Sequence, residues 1–247
     1  IKRPEDLKTY RPPDPDADDV LGGLPEVIQR YKGQKAISAI CRDAFFNPAF
    51  LRGTEQFLVD MIERPKFVHE LIEVALSYDI PAMRRMVAAG ADVIVFGDDY
   101  ADKNATLMSP KHFREFVLPG LQRCVDAAHE AGAYVVKHTD GNIMGVIDMI
   151  VETGIDALNP LEPQAGMDIA LIKERYGGRI ALIGNIDCGY LLSQAPVEEV
   201  RRVTRRTIET AKPGGGYCLS SSNSIHSSVR PENFLAMVET LREFGGY

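Results

Sequence analysis

The sequence has 247 residues, of which 45% are hydrophobic and 26% charged, and this composition is typical of a globular protein with one large core. Its net charge of −7 argues against nucleic acid as the main partner, because phosphate binding needs a clustered surplus of lysine and arginine. No apolar run approaches the roughly 18 residues needed to span a bilayer, and the four cysteines form no CxxC pair. We therefore expect a cytoplasmic protein without a zinc ribbon or a disulfide framework.

Six short apolar segments follow one another along the chain and predict strands. Each is rich in valine, isoleucine, leucine or alanine on both faces, which is the pattern of strands in a parallel sheet that is covered on both sides. The predicted strands are residues 35–42, 92–99, 134–140, 156–160, 180–187 and 217–223.

Amphipathic segments with clear ends lie between the strands and predict helices. In the segment SPKHFREFVLPGLQRCVDAAHEAGA, Ser109 is placed to cap a helix, and Pro119 is expected to kink it. Two more helices are predicted within residues 195–215 and 230–246. The basic run at residues 201–206 alternates with apolar residues at helical spacing, so we expect a solvated helix face with ion pairs.

The repeated order of strand and helix predicts an α/β fold. No glycine-rich phosphate loop follows any strand, which disfavours a dinucleotide-binding open sheet. Every predicted strand ends in polar residues, and in a TIM (β/α)8 barrel all of these ends meet on one rim, so a barrel is favoured. Only six strands are predicted where such a barrel has eight. We therefore expect a single barrel domain over residues 1–247 whose N-terminal strands are missing from this chain.

The strand end YVVKHTDGN carries the strongest chemical signal. Side chains alternate along a strand, so His138 and Asp140 are expected to project to the same side. An imidazole beside a carboxylate can bind a metal ion such as zinc, or the carboxylate can orient the imidazole for proton transfer. Further metal ligands would come from other strand ends, where the candidates are Asp99, Cys188, Asn223 and His226.

Other strand ends offer groups that can contact a substrate. Because neighbours on a strand point in opposite directions, only one of Asp98 and Asp99 is expected to face the site. The serine-rich segment SSSNSIHSS follows the last strand and is expected to be a loop facing the substrate. Catalytic roles are predicted for His138, Asp140 and Asp99. Substrate-binding roles are predicted for Arg42, Asp98, Tyr100, Asn185, Asp187, Ser222, Asn223 and His226.

Six motifs in fixed order resemble the uroporphyrinogen decarboxylase superfamily. They are SPKHFREFVLPGLQRCVDAAHEAG, KHTDGN, ETGIDALNP, IALIGNID, PGGGYCLSSSNSI and RPENFLAMVE. The superfamily contains the decarboxylases of haem biosynthesis and zinc-dependent corrinoid methyltransferases. The resemblance implies a TIM barrel, and this chain is similar to about the C-terminal two-thirds of a typical member.

The resemblance also bears on single positions. It implies that His138 is a zinc ligand of the methyltransferase type, whereas cysteines stand in those enzymes near the positions of Asp140 and Asn223. The decarboxylases have a histidine near Asn223, a serine near Asp99 and a tyrosine near Phe50, and this chain has none of these three residues. Carboxylate oxygen can also bind zinc, so His138 and Asp140 are the expected metal ligands.

The function expected from the resemblance is that of a metal-dependent methyltransferase that acts with a corrinoid (cobalamin) or a small methylated substrate. Zinc is the expected metal, and the corrinoid is expected as a substrate or on a partner protein. One alternative is a decarboxylase of the uroporphyrinogen decarboxylase type without a cofactor, and another is a non-catalytic protein that binds a tetrapyrrole or corrinoid. A homodimer is a further expectation, and no membrane partner is expected.

Overall fold

The computed structural model describes residues 1–247, which divide into two compact units. The first unit consists of Ile1–Tyr100, Leu107–His138 and Val146–Ile155. The second unit consists of Ala101–Thr106, Thr139–Gly145 and Asp156–Tyr247. The single barrel domain expected from the sequence stays a prediction.

Six parallel strands are present, and each lies within one of the six predicted segments. The strands of the first unit pair in chain order and are Ser38–Cys41 (β1), Val93–Phe96 (β2) and Tyr134–His138 (β3). Those of the second unit also pair in chain order and are Ala157–Asn159 (β4), Ala181–Ile186 (β5) and Tyr217–Ser221 (β6). Because helices alternate with these parallel strands, the predicted α/β class is confirmed.

Helices connect the strands in both units. The first unit contains Leu24–Tyr31 (α1), Phe46–Arg52 (α2), Thr54–Glu63 (α3), Pro65–Ala89 (α4), Pro110–His112 (α5), Leu118–Glu130 (α6) and Ile147–Glu152 (α7). The second unit contains Ile169–Tyr176 (α8), Val197–Ala211 (α9) and Pro231–Phe244 (α10). Short 3-10 turns lie at Pro4–Lys8, Asp18–Leu21 and Pro163–Ala165. None of the helices combines the length and the apolar character that a membrane crossing requires.

The helix predicted to begin at Ser109 contains a wider turn. Ser109 Oγ accepts a hydrogen bond from the backbone N–H of His112 at 3.2 Å, which confirms the predicted cap. Between α5 and α6, Phe113–Val117 is π-helical. Pro119 has no N–H with which to continue the α-helical hydrogen bonds, and the π-helical turn ends two residues before it. At the kink expected near Pro119, the helix therefore changes locally from α-helical to π-helical hydrogen bonding.

The strands of the first unit have one buried face and one open face. Ile94 and Val135 are fully buried, and they lie on the face that the helices of this unit cover. On the opposite face, the side chain of Ile40 is 71% exposed and that of Tyr134 is 66% exposed. The expectation that both faces are covered is thus wrong for β1 and β3, because these two side chains are mostly exposed.

The second unit has a separate apolar core, in which Ile186 at the end of β5 packs with Leu192, Val200 and Met237. The arginines of α9 lie on the outer surface of this unit. Arg202 lies 3.5 Å from Glu199, and Arg205 lies 2.7 Å from Glu209 one helical turn further on. Because these side chains are exposed and paired, the interpretation of residues 201–206 as a solvated helix face is confirmed.

Candidate active site

The two aspartates after β2 have different surroundings. Asp98 is fully buried, and its Oδ2 accepts hydrogen bonds from the backbone N–H groups of Phe46 at 2.8 Å, Phe45 at 3.2 Å and Asp43 at 3.3 Å. These donors include the first residue of α2, so Asp98 satisfies N–H groups that have no partner within that helix. The side chain of Asp99, by contrast, is 32% exposed. Asp98 is thus buried and Asp99 accessible, and that only one of the pair faces a substrate stays a prediction.

A lysine buried inside β3 joins the ends of all three strands of the first unit. The side chain of Lys137 is 0% exposed, and its Nζ donates to Asp43 Oδ2 at 2.8 Å and to the backbone carbonyl of Asp98 at 2.8 Å. The same nitrogen lies 4.0 Å from the centre of the Tyr100 ring, and the Tyr100 hydroxyl donates to Asp43 Oδ2 at 2.6 Å. A buried ammonium is tolerated only when it is paired and hydrogen-bonded in this way.

The buried cluster contains two carboxyl groups for one ammonium group. Burial raises the pKa of Asp98 to about 8, and the negative charge of Asp43 acts in the same direction. Asp43 Oδ1 and Asp98 Oδ1 are both buried and receive no donor from the rest of the chain. A proton retained by Asp98 at neutral pH leaves Asp43 and Lys137 as one balanced ion pair.

His138 and Asp99 lie side by side at the ends of β3 and β2. His138 Nε2 is 3.8 Å from Asp99 Oδ1, and their side chains are 30% and 32% exposed. Each follows a buried member of the cluster by one residue, Lys137 before His138 and Asp98 before Asp99, and so lies on the opposite face. An imidazole and a carboxylate at this distance can share a metal ion, or the carboxylate can stabilise a protonated imidazole.

Asp140 contacts the serine-rich loop within the second unit. Asn223 Nδ2 donates to Asp140 Oδ2 at 2.7 Å. Ser222 is buried, and its Oγ accepts from the backbone N–H of Cys188 at 3.4 Å and lies 3.7 Å from Cys188 Sγ. Residues 223–228 are exposed, and His226 Nδ1 accepts from the backbone N–H of Ser228 at 3.3 Å. The loop therefore has a fixed start and an accessible remainder.

Two further predicted residues, Asn185 and Asp187, hold backbone segments of the second unit. Asn185 is buried with a φ of 103°, and its Nδ2 donates to the carbonyls of Leu161 and of Met167, the latter at 3.0 Å. The Asp187 carboxylate accepts from three successive backbone N–H groups, those of residues 189–191, at 2.8 to 2.9 Å. Both side chains have backbone partners here, and their predicted substrate-binding roles stay predictions.

Arg42 and Tyr100 complete the predicted set in the first unit. Arg42 donates to the carbonyl of Gly97, lies 5.0 Å from the centre of the Phe46 ring and 3.7 Å from Asp98 Oδ1, and keeps 39% of its side chain exposed. Tyr100 is fully buried in the cluster around Lys137. Arg42 is thus accessible to a ligand, whereas Tyr100 is buried and stabilises the strand ends through its contacts with Asp43 and Lys137. Their roles toward a substrate also stay predictions.

Neither Lys137 nor Asp43 is among the residues with a predicted role. A usable signal was present, because a lysine inside an otherwise apolar strand of a parallel sheet must find an acidic partner if it is buried. The partner lies 94 residues away in the chain, so periodicity could not identify it.

The substitution Lys137→Met tests how far the fold depends on this cluster. Loss of the ammonium leaves Asp43 buried without its ion-pair partner, so we expect the free energy of unfolding to fall by about 3–5 kcal/mol, measured by urea denaturation. Lys66→Met is the matched control, because Lys66 is exposed in α4, and we expect a change of no more than about 0.5 kcal/mol. Equal stability of the two variants would contradict this account.

The raised pKa of Asp98 predicts a pH dependence of stability. Above the ordinary pKa of 3.8 the unfolded chain ionises at this residue while the folded chain keeps the proton, up to about pH 8. Stability contributed by this group is therefore full below about pH 4 and is lost as the pH rises toward 8. We expect Asp98→Asn to reduce the fall in unfolding free energy between pH 5 and pH 8.5 relative to the unmodified chain.

Asp79, whose pKa burial raises to about 7, contributes a fall in the same direction in both proteins. The comparison is made by urea denaturation of both proteins at matched pH values. The same pH dependence in both would show that Asp98 does not keep its proton in the folded chain.

Comparison with known proteins identifies relatives of two activities. A sequence model of uroporphyrinogen decarboxylase (URO-D) matches residues 1–244. Uroporphyrinogen decarboxylase from Thioalkalivibrio sulfidiphilus is 28% identical over 192 residues, which are 75% of this chain and 51% of that protein. The methylcobamide:CoM methyltransferase MtaA from Methanosarcina barkeri is 26% identical over 194 residues, which are 78% of this chain and 54% of that protein. The chain thus spans about half the length of these curated relatives.

A solved structure has the same fold. A methyltransferase from Methanosarcina mazei superposes with a TM-score of 0.79 at 23% identity, over 96% of this chain and 71% of that one. This agreement confirms the predicted fold class. Both activities among the relatives, decarboxylation and methyl transfer, are enzymatic. Because the family match extends over nearly the whole sequence, the chain belongs to the uroporphyrinogen decarboxylase family.

Proposed function

We propose that this chain carries the catalytic site of a metal-dependent methyltransferase that acts with a corrinoid or with a small methylated substrate. The observation behind the proposal is the pair formed by His138 Nε2 and Asp99 Oδ1, 3.8 Å apart at neighbouring strand ends and both accessible to solvent. The methyltransferase relative from Methanosarcina barkeri, whose name gives a methylcobamide as its substrate, supports this choice.

The donor atoms available are suitable for zinc. Zinc is bound in proteins by imidazole nitrogen and by carboxylate oxygen, and catalytic sites usually combine three protein ligands with one position for water or substrate. His138 and Asp99 supply one ligand of each kind, and Asp140, two residues after His138 in the chain, is the third ligand that we propose. The sequence resemblance places cysteine ligands of the methyltransferases near Asp140 and Asn223, and Asn223 Nδ2 donates a hydrogen bond to Asp140 Oδ2 at 2.7 Å.

The chain's own residues would each contribute to methyl transfer. A zinc ion held here would supply Lewis-acid chemistry, polarising the heteroatom that gives or takes the methyl group. Asp99 would bind the ion beside His138, with Asp99 Oδ1 3.8 Å from His138 Nε2, and Asn223 orients the Asp140 carboxylate through its hydrogen bond. Arg42, which is partly exposed and near the same strand ends, offers a cation for an anionic group of the substrate.

A decarboxylase is the second candidate, because the relative from Thioalkalivibrio sulfidiphilus that is 28% identical bears that name. In that case Asp99 would stabilise a protonated nitrogen of a pyrrole substrate, and no metal would be needed. Treatment with a chelator separates the two functions. Activity that survives removal of all bound metal favours the decarboxylase, and activity that returns only on adding zinc favours the methyltransferase.

The metal content of the purified protein tests the proposal. We expect about one zinc per chain by elemental analysis after purification without chelators, because the proposed three ligands are the usual number for a catalytic zinc site. His138→Ala should lower the zinc affinity at least about 100-fold, since one of the three protein ligands is lost.

His129→Ala is the matched control for this measurement. His129 is exposed on α6, and its loss should leave the zinc content unchanged. A protein without bound zinc, or equal zinc retention by the His138 and His129 variants, would rule out the proposed site.

A further inference from the structure

A cavity of about 320 Å³ lies in the first unit between the N-terminal segment, α2 and α4. Its wall is mostly apolar and aromatic and includes Tyr10, Phe50, Leu51, Val74 and Tyr78. This size is at the lower end of the range for small-molecule sites, which are typically apolar with a few polar groups that fix orientation. The cavity is therefore large enough for one small ring compound.

Asn47 is the polar group in the wall of this cavity. Its Nδ2 donates to Asp79 Oδ1 at 2.6 Å, which fixes the orientation of the amide. This bond uses the amide nitrogen of Asn47 and leaves its carbonyl oxygen, Oδ1, outside the contact with Asp79. The carbonyl oxygen is thus available to accept a hydrogen bond from a ligand.

Asp79 holds Asn47 from the protein interior. Asp79 is only 5% exposed, and its Oδ2 is buried without a hydrogen-bond partner. Burial raises the pKa of Asp79 to about 7, so this carboxyl is partly neutral under ordinary conditions. Once Asp79 ionises, its negative charge would repel an anionic ligand in the cavity, whereas it would not repel a neutral ligand.

We propose that this cavity binds a neutral aromatic molecule that carries one hydrogen-bond donor, of the chemical class of a phenol. The ring packs against Phe50 and Tyr78, and the hydroxyl donates to Asn47 Oδ1. The wall contains neither His138 nor Asp99, so the site is separate from the proposed metal site and does not depend on the proposed function. It is a binding site in its own right.

Phenol and toluene are the probes for this site, because they have nearly the same size and only phenol carries a donor. Binding to the full chain is followed by ¹⁵N–¹H correlation spectra, with the backbone amides of Phe50 and Tyr78 as reporters of the location. We expect phenol to bind with a dissociation constant in the millimolar range and toluene to bind about fivefold more weakly, which is the effect of one neutral hydrogen bond.

Two variants separate the contributions of shape and hydrogen bonding. Val74→Phe places a ring in the cavity from a partly exposed position and should abolish the binding of both probes. Asn47→Leu should weaken phenol about fivefold and leave toluene unchanged. Leu235→Ala on the exposed face of α10 is the control and should bind both probes like the unmodified chain. Spectra without probe show that each variant is folded.

Three outcomes would overturn the proposal. The first is that phenol shifts no resonance of residues lining the cavity up to saturation. The second is that phenol binding persists in Val74→Phe, which would place the probe elsewhere. The third is that Asn47→Leu binds phenol as well as the unmodified chain does, which would show that the ligand makes no hydrogen bond to Asn47.

Discussion

The buried ammonium group of Lys137 is the interaction on which the strand ends of the first unit depend. It connects β3 to the carboxylate after β1 and to the backbone carbonyl after β2. An ammonium without these partners could not remain in the interior, because its desolvation costs several kcal/mol. The three strand ends are therefore fixed relative to one another by charge as well as by the backbone ladder between neighbouring strands.

Because side chains alternate along a strand, the buried residues that support the fold lie on one face and the accessible polar residues lie on the other. Lys137 and Asp98 point into the protein, and the residues that follow them, His138 and Asp99, point to the opposite side. The buried cluster around Lys137 therefore fixes the positions of two accessible groups, His138 and Asp99. The side chains of the cluster itself are buried and out of reach of a substrate. Such support is what holds catalytic groups within a fraction of an ångström of a working geometry.

Local rules predicted the secondary structure well, because the signals are short in range. The six strands and the helix cap at Ser109 each depend on residues a few positions apart. The Lys137 cluster could not be predicted in this way, since its partner Asp43 is 94 residues away. The open face at Ile40 was also missed, because an apolar strand residue does not reveal whether another element will cover it.

The same limits apply to the candidate site. His138, Asp140 and Asp99 could be predicted as site residues because polar residues at the ends of parallel strands can be recognised in a sequence, and their roles stay predictions. That Asn185 and Asp187 hold backbone segments could not be recognised, because an amide or carboxylate that binds backbone has the same letter as one that binds substrate. The relatives of this chain catalyse decarboxylation or methyl transfer, and family membership does not decide between these two reactions.

Anomalous diffraction at the zinc absorption edge, from crystals of this protein grown with zinc, tests most directly whether His138 binds the metal. We expect a peak at bonding distance from His138, roughly 2.0–2.1 Å from its nitrogen, with carboxylate oxygens of Asp99 and Asp140 at roughly 2.0–2.2 Å. The absence of a peak at His138, or zinc bound only elsewhere on the protein, would contradict this expectation.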